Sequence, residues 1–258
     1  MSNKLDFAIV GCGRISPKHI EGIINNYKNA RLIAVSDVVE EKMDKAVDYY
    51  NNYLKEENLD INEKELDELK NNKIKKYKDY KELLKNNDID VVTIATESGY
   101  HPKITKNALN TDKHVIVEKP MALSMSDAEE MIELADKKDL KLSVCHQNRF
   151  NPTIQKLRNA LENDRFGKLV HGVASVRWNR NQEYYNMDNW HGTLELDGGI
   201  LMNQCIHNID MLRWMMGDVE RLSAETDTFL RNIETEDAGM SVLRFKNGAV
   251  GLIEGTVC

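Results

Sequence analysis

A short apolar run, Phe7-Ala8-Ile9-Val10, leads directly into Gly11-Cys12-Gly13, and a helix-like stretch follows to about Asn26. Few folds begin this way. A buried strand, a glycine turn and a helix in that order open a parallel βαβ sheet, with glycine backbone and a helix N-terminus facing a phosphate. Further strand-like runs follow at Leu32–Asp37, Val91–Thr96, His114–Glu118 and Leu140–Cys145. An amphipathic helix from about Ser126 to Lys138 separates the last two, with Ser124 and Ser126 as candidate N-caps and Met131, Leu134 and Ala135 at helical spacing. Strands alternating with helices predict a mostly parallel sheet. The interval Asp48–Lys76 is rich in Asn, Glu and Lys, with Leu54, Leu59, Leu66 and Leu69 as its sparse apolar content. It predicts one or two surface helices inserted into the sheet domain.

Beyond Asn148 the texture changes. Asn151–Asn163 reads as a helix capped by Asn151 with Pro152 in its first position, and Lys168–Trp178 alternates like a long strand. A polar, aromatic segment, Asn179–Gly199, leads into one continuous helical stretch, Ile200–Met216. Strand-like runs at Val219–Leu230, Gly239–Phe245 and Ala249–Val257 follow, the last two joined by the hairpin signal Lys246-Asn247-Gly248. The pattern predicts two domains, residues 1–148 and residues 149–258, the second α+β with a largely antiparallel, meander-like sheet.

Composition narrows the function classes. Among 258 residues no apolar run approaches the ~18 needed for a spanning helix, and the N-terminus lacks the basic-then-apolar layout of a signal peptide. Cys12, Cys145, Cys205 and Cys258 stand far apart with no paired spacing, which predicts reduced thiols in a cytoplasm rather than a disulfide framework or a zinc site. A net charge of −7 argues against nucleic acid as a partner. The reading is of a cytoplasmic globular protein without a membrane partner.

Three motifs carry chemistry. In Gly11-Cys12-Gly13-Arg14-Ile15-Ser16 the third glycine of a dinucleotide fingerprint is replaced by Ser16, and Asp37 ends the second strand where an acid bonds the adenosine ribose. A carboxylate there repels a 2′-phosphate and favours NAD over NADP. Glu118-Lys119-Pro120 puts a lysine at the carboxyl end of a strand, where ligands of open α/β sheets bind. A free lysine titrates near ~10.4, and burial beside a positive nicotinamide disfavours its charged form. Asn203 and His207, four apart, share one face of a continuous helix, with Asp210 three residues on to orient the His207 ring. One histidine among scattered acids, without paired ligands, predicts no metal site.

The Gly11–Ile15 turn, Thr96 followed by His101, Glu118-Lys119-Pro120, Gln147-Asn148-Arg149-Phe150-Asn151-Pro152 and the glycine pair before the His207 helix together resemble the glucose–fructose oxidoreductase/inositol dehydrogenase (Gfo/Idh/MocA) superfamily. Trp178–Tyr185, Trp190-His191-Gly192-Thr193, Asp197-Gly198-Gly199, Met202-Asn203-Gln204, Arg231–Glu234 and Glu236-Asp237 are similar to its UDP-N-acetylglucosaminuronate 3-dehydrogenases, which oxidise the sugar C3 hydroxyl for surface polysaccharides. The resemblance implies an N-terminal Rossmann domain, a doubly wound parallel sheet, that binds NAD through Gly11, Gly13, Arg14, Ile15, Asp37, Thr96, His101, Glu118 and Gln147. It implies catalysis by Lys119, His207 and Asn203, with Lys119 or His207 taking the hydroxyl proton; Asn203 stands where many members carry Asp. Asn148, Arg149, Arg180, Tyr184, Tyr185, Trp190, Asn203 and Gln204 would then bind the sugar nucleotide. His191 stands where Arg is often found. Oxidation of a free sugar or inositol, or a nucleotide-binding regulator without chemistry, are the alternatives. Members form homo-oligomers, dimers or tetramers, and are usually longer. The sequence therefore predicts a second domain that stops short of the family's, at the strand ending on Cys258.

Overall fold

A computed structural model describes residues 4–55 and 61–258, so Leu59 of the charged interval lies outside the described residues. The chain divides into two compact units, Met1–Thr96 with Tyr100–Val144 and Glu97–Gly99 with Cys145–Cys258. No helix among the described residues is long and apolar enough to cross a membrane.

In the first unit the chain runs β1 (Leu5–Val10), α1 (Ser16–Asn25), β2 (Ala30–Ser36), α2 (Glu40–Tyr53), α3 (Glu63–Lys70), β3 (Lys75–Tyr77), α4 (Tyr80–Leu84), β4 (Val91–Ile94), α5 (His101–Asn110), β5 (His114–Val117), α6 (Met125–Lys137) and β6 (Leu142–Val144). The six strands are all parallel, in the order β3-β2-β1-β4-β5-β6. The order reverses between β1 and β4, which puts the crevice of a doubly wound sheet beyond the ends of these two strands. Alternation along β1 sorts its side chains into two cores. Ala8 and Val10 join Ile94, Ala108, Leu109 and Met131 on one face, while Ile9 joins Ile20, Leu32, Met43 and Tyr50 on the other. Each face removes apolar surface from water at roughly 25 cal/mol per Å². β4 is buried at all four positions, as a strand covered on both faces must be.

The charged interval does form helices, but they are not a decoration. Tyr50 of α2 is 1 % exposed and its hydroxyl donates to the Leu69 carbonyl of α3 at 3.2 Å. Asn62 caps α3 by accepting from the Glu65 amide at 3.0 Å. The interval ends in β3, an edge strand that the sequence reading does not predict. Its three residues carry no buried side chain, so no apolar pattern announces it.

The second unit contains α7 (Pro152–Glu162), β7 (His171–Arg177), α8 (Gln182–Tyr185), α9 (Ile200–Asn203), α10 (Ile206–Met216), β8 (Val219–Asp227), β9 (Ala238–Phe245) and β10 (Val250–Thr256). Its sheet has the order β7-β10-β9-β8. β8, β9 and β10 form the expected antiparallel meander, and the Asn247-Gly248 turn closes with Gly248 N donating to the Phe245 carbonyl at 2.9 Å. β10 and β7 pair in parallel, so the sheet is mixed rather than a pure meander. Leu212 and Met216 of α10 pack with Ala174, Leu243, Phe245 and Ile253 of the sheet. Asn151 precedes α7 as expected but makes no side-chain cap.

Candidate active site

The cofactor end of the first unit is built where β1 meets α1. Gly11 has φ +94°, and a Cβ there would lie 2.5 Å from the Ala95 carbonyl oxygen, so only glycine fits between the ends of β1 and β4. Gly13 has the opposite property: its missing Cβ would meet nothing within 4 Å, leaving room for a phosphate against the backbone. Ser16 stands in place of the third glycine because its hydroxyl folds back, donating to the Gly13 carbonyl at 2.8 Å. α1 has no side-chain cap at its N-terminus, and Pro17 lies in its first turn. The positive end of its dipole, behind the glycine turn, therefore suits an anion. Arg14 is exposed and Ile15 half-buried beside the turn.

Asp37 holds that turn together. One carboxylate oxygen accepts from the Cys12 amide and the other from the Val39 amide, both at 2.9 Å. It remains half-buried at the end of β2, with lone pairs left to accept further hydrogen bonds. Burial, reinforced by the Asp37 charge, pushes the Cys12 thiol up to about 12, which removes it as a nucleophile at neutral pH. These residues fit a dinucleotide.

Thr96, Glu118 and Lys119 follow the ends of β4 and β5. His101 is 1 % exposed and lies between two backbone carbonyls, with Nδ1 2.7 Å from Pro120 O and Nε2 3.0 Å from Thr96 O. Burial holds its pKa below the usual histidine range. The structure therefore gives His101 to the framework of these two turns rather than to a ligand. Glu118 is 8 % exposed and meets His19 Nε2 of α1 at 3.0 Å. Burial opposes its ionisation, but hydrogen bonds and charge from His19 and from Lys119 outweigh that and lower its pKa. Sequence reading missed His19, because nothing in a helix of ordinary pattern shows which strand end it faces.

In the second unit, Gln147, Asn148 and Arg149 lie in a short 3₁₀ turn, Gln147–Phe150, with Gln147 exposed. Arg149 does not stand open to a ligand anion. Its Nε and Nη2 donate to the two oxygens of Asp210 at 2.7 and 2.5 Å, and its guanidinium lies 5.2 Å from the Trp214 ring, which Arg158 also approaches at 5.0 Å. Asp210, expected to orient His207, is thereby engaged by Arg149, with His146 Nδ1 a further 3.6 Å from Oδ2.

The expected single helix is broken. α9 ends at Asn203 and α10 begins at Ile206, so Asn203 and His207 do not share a continuous helical face. The break follows the packing of Cys205, 1 % exposed, against the backbone at Gly255. Asn203 donates its amide to Asp197, a 2 % exposed carboxylate that also accepts from the Gly192 amide at 2.7 Å. A buried acid thus stands one bond from Asn203, six residues upstream of where the sequence pattern looked for it. Gly199, at φ +97°, lets Glu236 close over the start of α9 and accept from the Leu201 amide at 2.9 Å; a Cβ would collide with that carboxylate.

Arg180 is the cation with the more open setting. It lies 5.4 Å from Trp178 and 4.8 Å from Tyr184, and Asn179, Arg180, Asn181 and Tyr184 line a concave pocket. Tyr184 meets the tilted ring of His191 at 4.5 Å, and Trp190 stacks on the same His191 with the two rings 3.9 Å apart. His191 Nδ1 lies 2.6 Å from an Asp188 carboxylate oxygen, outside hydrogen-bond geometry. Tyr185, expected at the substrate, is instead core: 4 % exposed and packed with Val176, Ile200, Cys205 and Val257. Gln204 is buried at 7 % exposure.

Comparison with known proteins decides the family. Residues 5–146 match the model of an oxidoreductase family with an NAD-binding Rossmann fold, and residues 154–258 match the GFO/IDH/MocA C-terminal domain. The chain belongs to the Gfo/Idh/MocA family. The WlbA dehydrogenase of Chromobacterium violaceum, crystallised with NADH and UDP-GlcNAcA, is 35 % identical with a TM-score of 0.87, over 99 % of this chain and 68 % of that one. Its Bordetella pertussis counterpart, also with NADH and UDP-GlcNAcA, is 34 % identical with the same TM-score, over 98 % and 71 %. A myo-inositol 2-dehydrogenase of Thermotoga maritima is 30 % identical over 254 residues, 96 % of this chain and 67 % of that protein. The chain spans about two thirds of the length of these relatives. As a Gfo/Idh/MocA member it carries an NAD-binding Rossmann domain, and it is an oxidoreductase.

Proposed function

We propose that this chain is an NAD-dependent sugar-nucleotide dehydrogenase that oxidises the C3 hydroxyl of UDP-N-acetylglucosaminuronate to the 3-keto sugar, with residues 1–148 binding NAD and residues 149–258 the sugar nucleotide. The observation that carries the reading is the 35 % identity, over 99 % of the chain, to a dehydrogenase crystallised with NADH and UDP-GlcNAcA. NAD, when bound, supplies the hydride acceptor.

Gly11, Gly13 and the start of α1 cradle the pyrophosphate, and Asp37 accepts from the ribose hydroxyls. Lys119 or His207 takes the proton from the reacting hydroxyl, a contribution of roughly 10²–10⁴ in rate. Asn203, braced by Asp197, positions the sugar beside His207. Arg180, flanked by two aromatic rings, holds an anionic group of the substrate, the uronate or the diphosphate. Tyr184 and Trp190 offer ring faces to the base or sugar.

Oxidation of a free polyol is the second reading, favoured by the 30 % identity to a myo-inositol 2-dehydrogenase. Incubation with NAD and either UDP-N-acetylglucosaminuronate or myo-inositol separates the two. NADH formation and a two-hydrogen mass loss with the sugar nucleotide alone is the expected result.

A further inference from the structure

Glu118 is a carboxylate withdrawn from water at the end of a buried strand, and such a group persists only when paired. Its Oε1 meets His19 Nε2 at 3.0 Å, and its Oε2 accepts from the Lys119 backbone amide at 3.2 Å. The two side chains are 11 % and 15 % exposed, so water does not substitute readily for either partner. His19 stands in the first turn of α1, the helix whose N-terminus follows the Gly11–Gly13 turn. On the other side of Lys119, His101 reaches the Pro120 carbonyl at 2.7 Å.

We propose that His19 is a positioning residue for Lys119: by gripping Glu118 it fixes the backbone from which the lysine projects, and ties that backbone to the phosphate-binding helix. The proposal rests on the reading of Lys119 as a catalytic residue. Remove the imidazole and Glu118 keeps only its Lys119 contacts against burial. It then takes up a proton or swings away, and in either case the negative charge beside Lys119 is lost. Within the first unit, Glu118 interacts with His19 from α1 and Lys119 from its own strand end, and its charge in turn acts on His101 of α5. Glutamine in place of His19 keeps an N–H at nearly the position of Nε2, so it should retain the grip without a ring.

The test needs no sugar substrate, so it stands apart from the identity of the substrate. The chain with NAD bound is acetylated across a pH series with an amine-reactive ester, and modification of Lys119 is followed by peptide mass spectrometry. The wild type is compared with His19→Ala, His19→Gln and Glu118→Gln, each checked for a cooperative melt. A carboxylate near an ammonium favours its charged form. His19→Ala and Glu118→Gln should therefore both move the Lys119 midpoint to lower pH, by about 0.5–1 unit. His19→Gln should stay at the wild-type midpoint. A folded His19→Ala with an unchanged midpoint overturns the proposal. If His19→Ala does not fold, the other two variants decide: a shift in Glu118→Gln with none in His19→Gln supports the proposal, and any other pattern rejects it.

Discussion

Arg149 grips both oxygens of the Asp210 carboxylate, at 2.7 and 2.5 Å, and so ties the Gln147–Phe150 turn to the second turn of α10. The acid that spacing assigns to His207 thus also anchors the turn. Asp210→Asn should destabilise the chain by about 1.5–3 kcal/mol, the range for hydrogen bonds to charged groups. Urea unfolding of the variant against wild type checks this. A loss under 0.5 kcal/mol would mean that the pair contributes little.

Lys119→Met should lower turnover by at least ~100-fold, the low end for a general acid–base residue. NAD affinity should change by less than about threefold, because the phosphate turn and Asp37 belong to other strands. Single-turnover kinetics and calorimetric titration with NAD separate the two effects.

Asp37→Asn should weaken NAD binding and narrow the gap between NAD and NADP. The amide still accepts one of the two backbone N–H groups, from Cys12 or Val39, but no longer repels a 2′-phosphate. Titration with both cofactors reads the change; an unaltered preference would assign cofactor choice to another group.

Asp237 is fully buried and accepts from three consecutive amides, Phe229, Leu230 and Arg231, at 2.7–2.8 Å. Burial opposes its charge, but the amides prevail and lower its pKa. A carboxyl depressed on folding contributes its stability above the unfolded value, near ~3.9, and loses it as pH falls through the folded value. Glu118, lowered likewise, adds to the same leg. Stability should therefore fall on acidification below about pH 4. Asp237→Asn should flatten that fall while lowering stability at pH 7. Unfolding free energies from pH 2.5 to 7 give the comparison.

Legibility in the sequence followed the physics of burial. Strands covered on both faces, such as β4, and helices with a clear apolar stripe, such as α6, show in a local pattern; Ser124 caps α6 as its position foretold. β3 has no pattern, because an edge strand of three residues buries no side chain. The break between α9 and α10 comes from a contact across the fold, Cys205 against Gly255, and α9 and α10 together read as one helix. In the candidate site, motifs located the turns but not the partners. His19 pairs with Glu118 across 99 positions, and Arg149 with Asp210 across 61. Tyr185 looked like a ligand residue because an aromatic in a polar loop has the same signature whether it faces the core or a substrate.

The central claim is oxidation of a sugar nucleotide at C3. It is tested most directly by mass spectrometry of UDP-N-acetylglucosaminuronate incubated with the protein and NAD, with an aminotransferase and amino donor present to trap a ketone. A 3-amino sugar nucleotide, formed only when NAD and this chain are both present, is the expected product. Unchanged sugar nucleotide, together with NADH formation on myo-inositol, would contradict it.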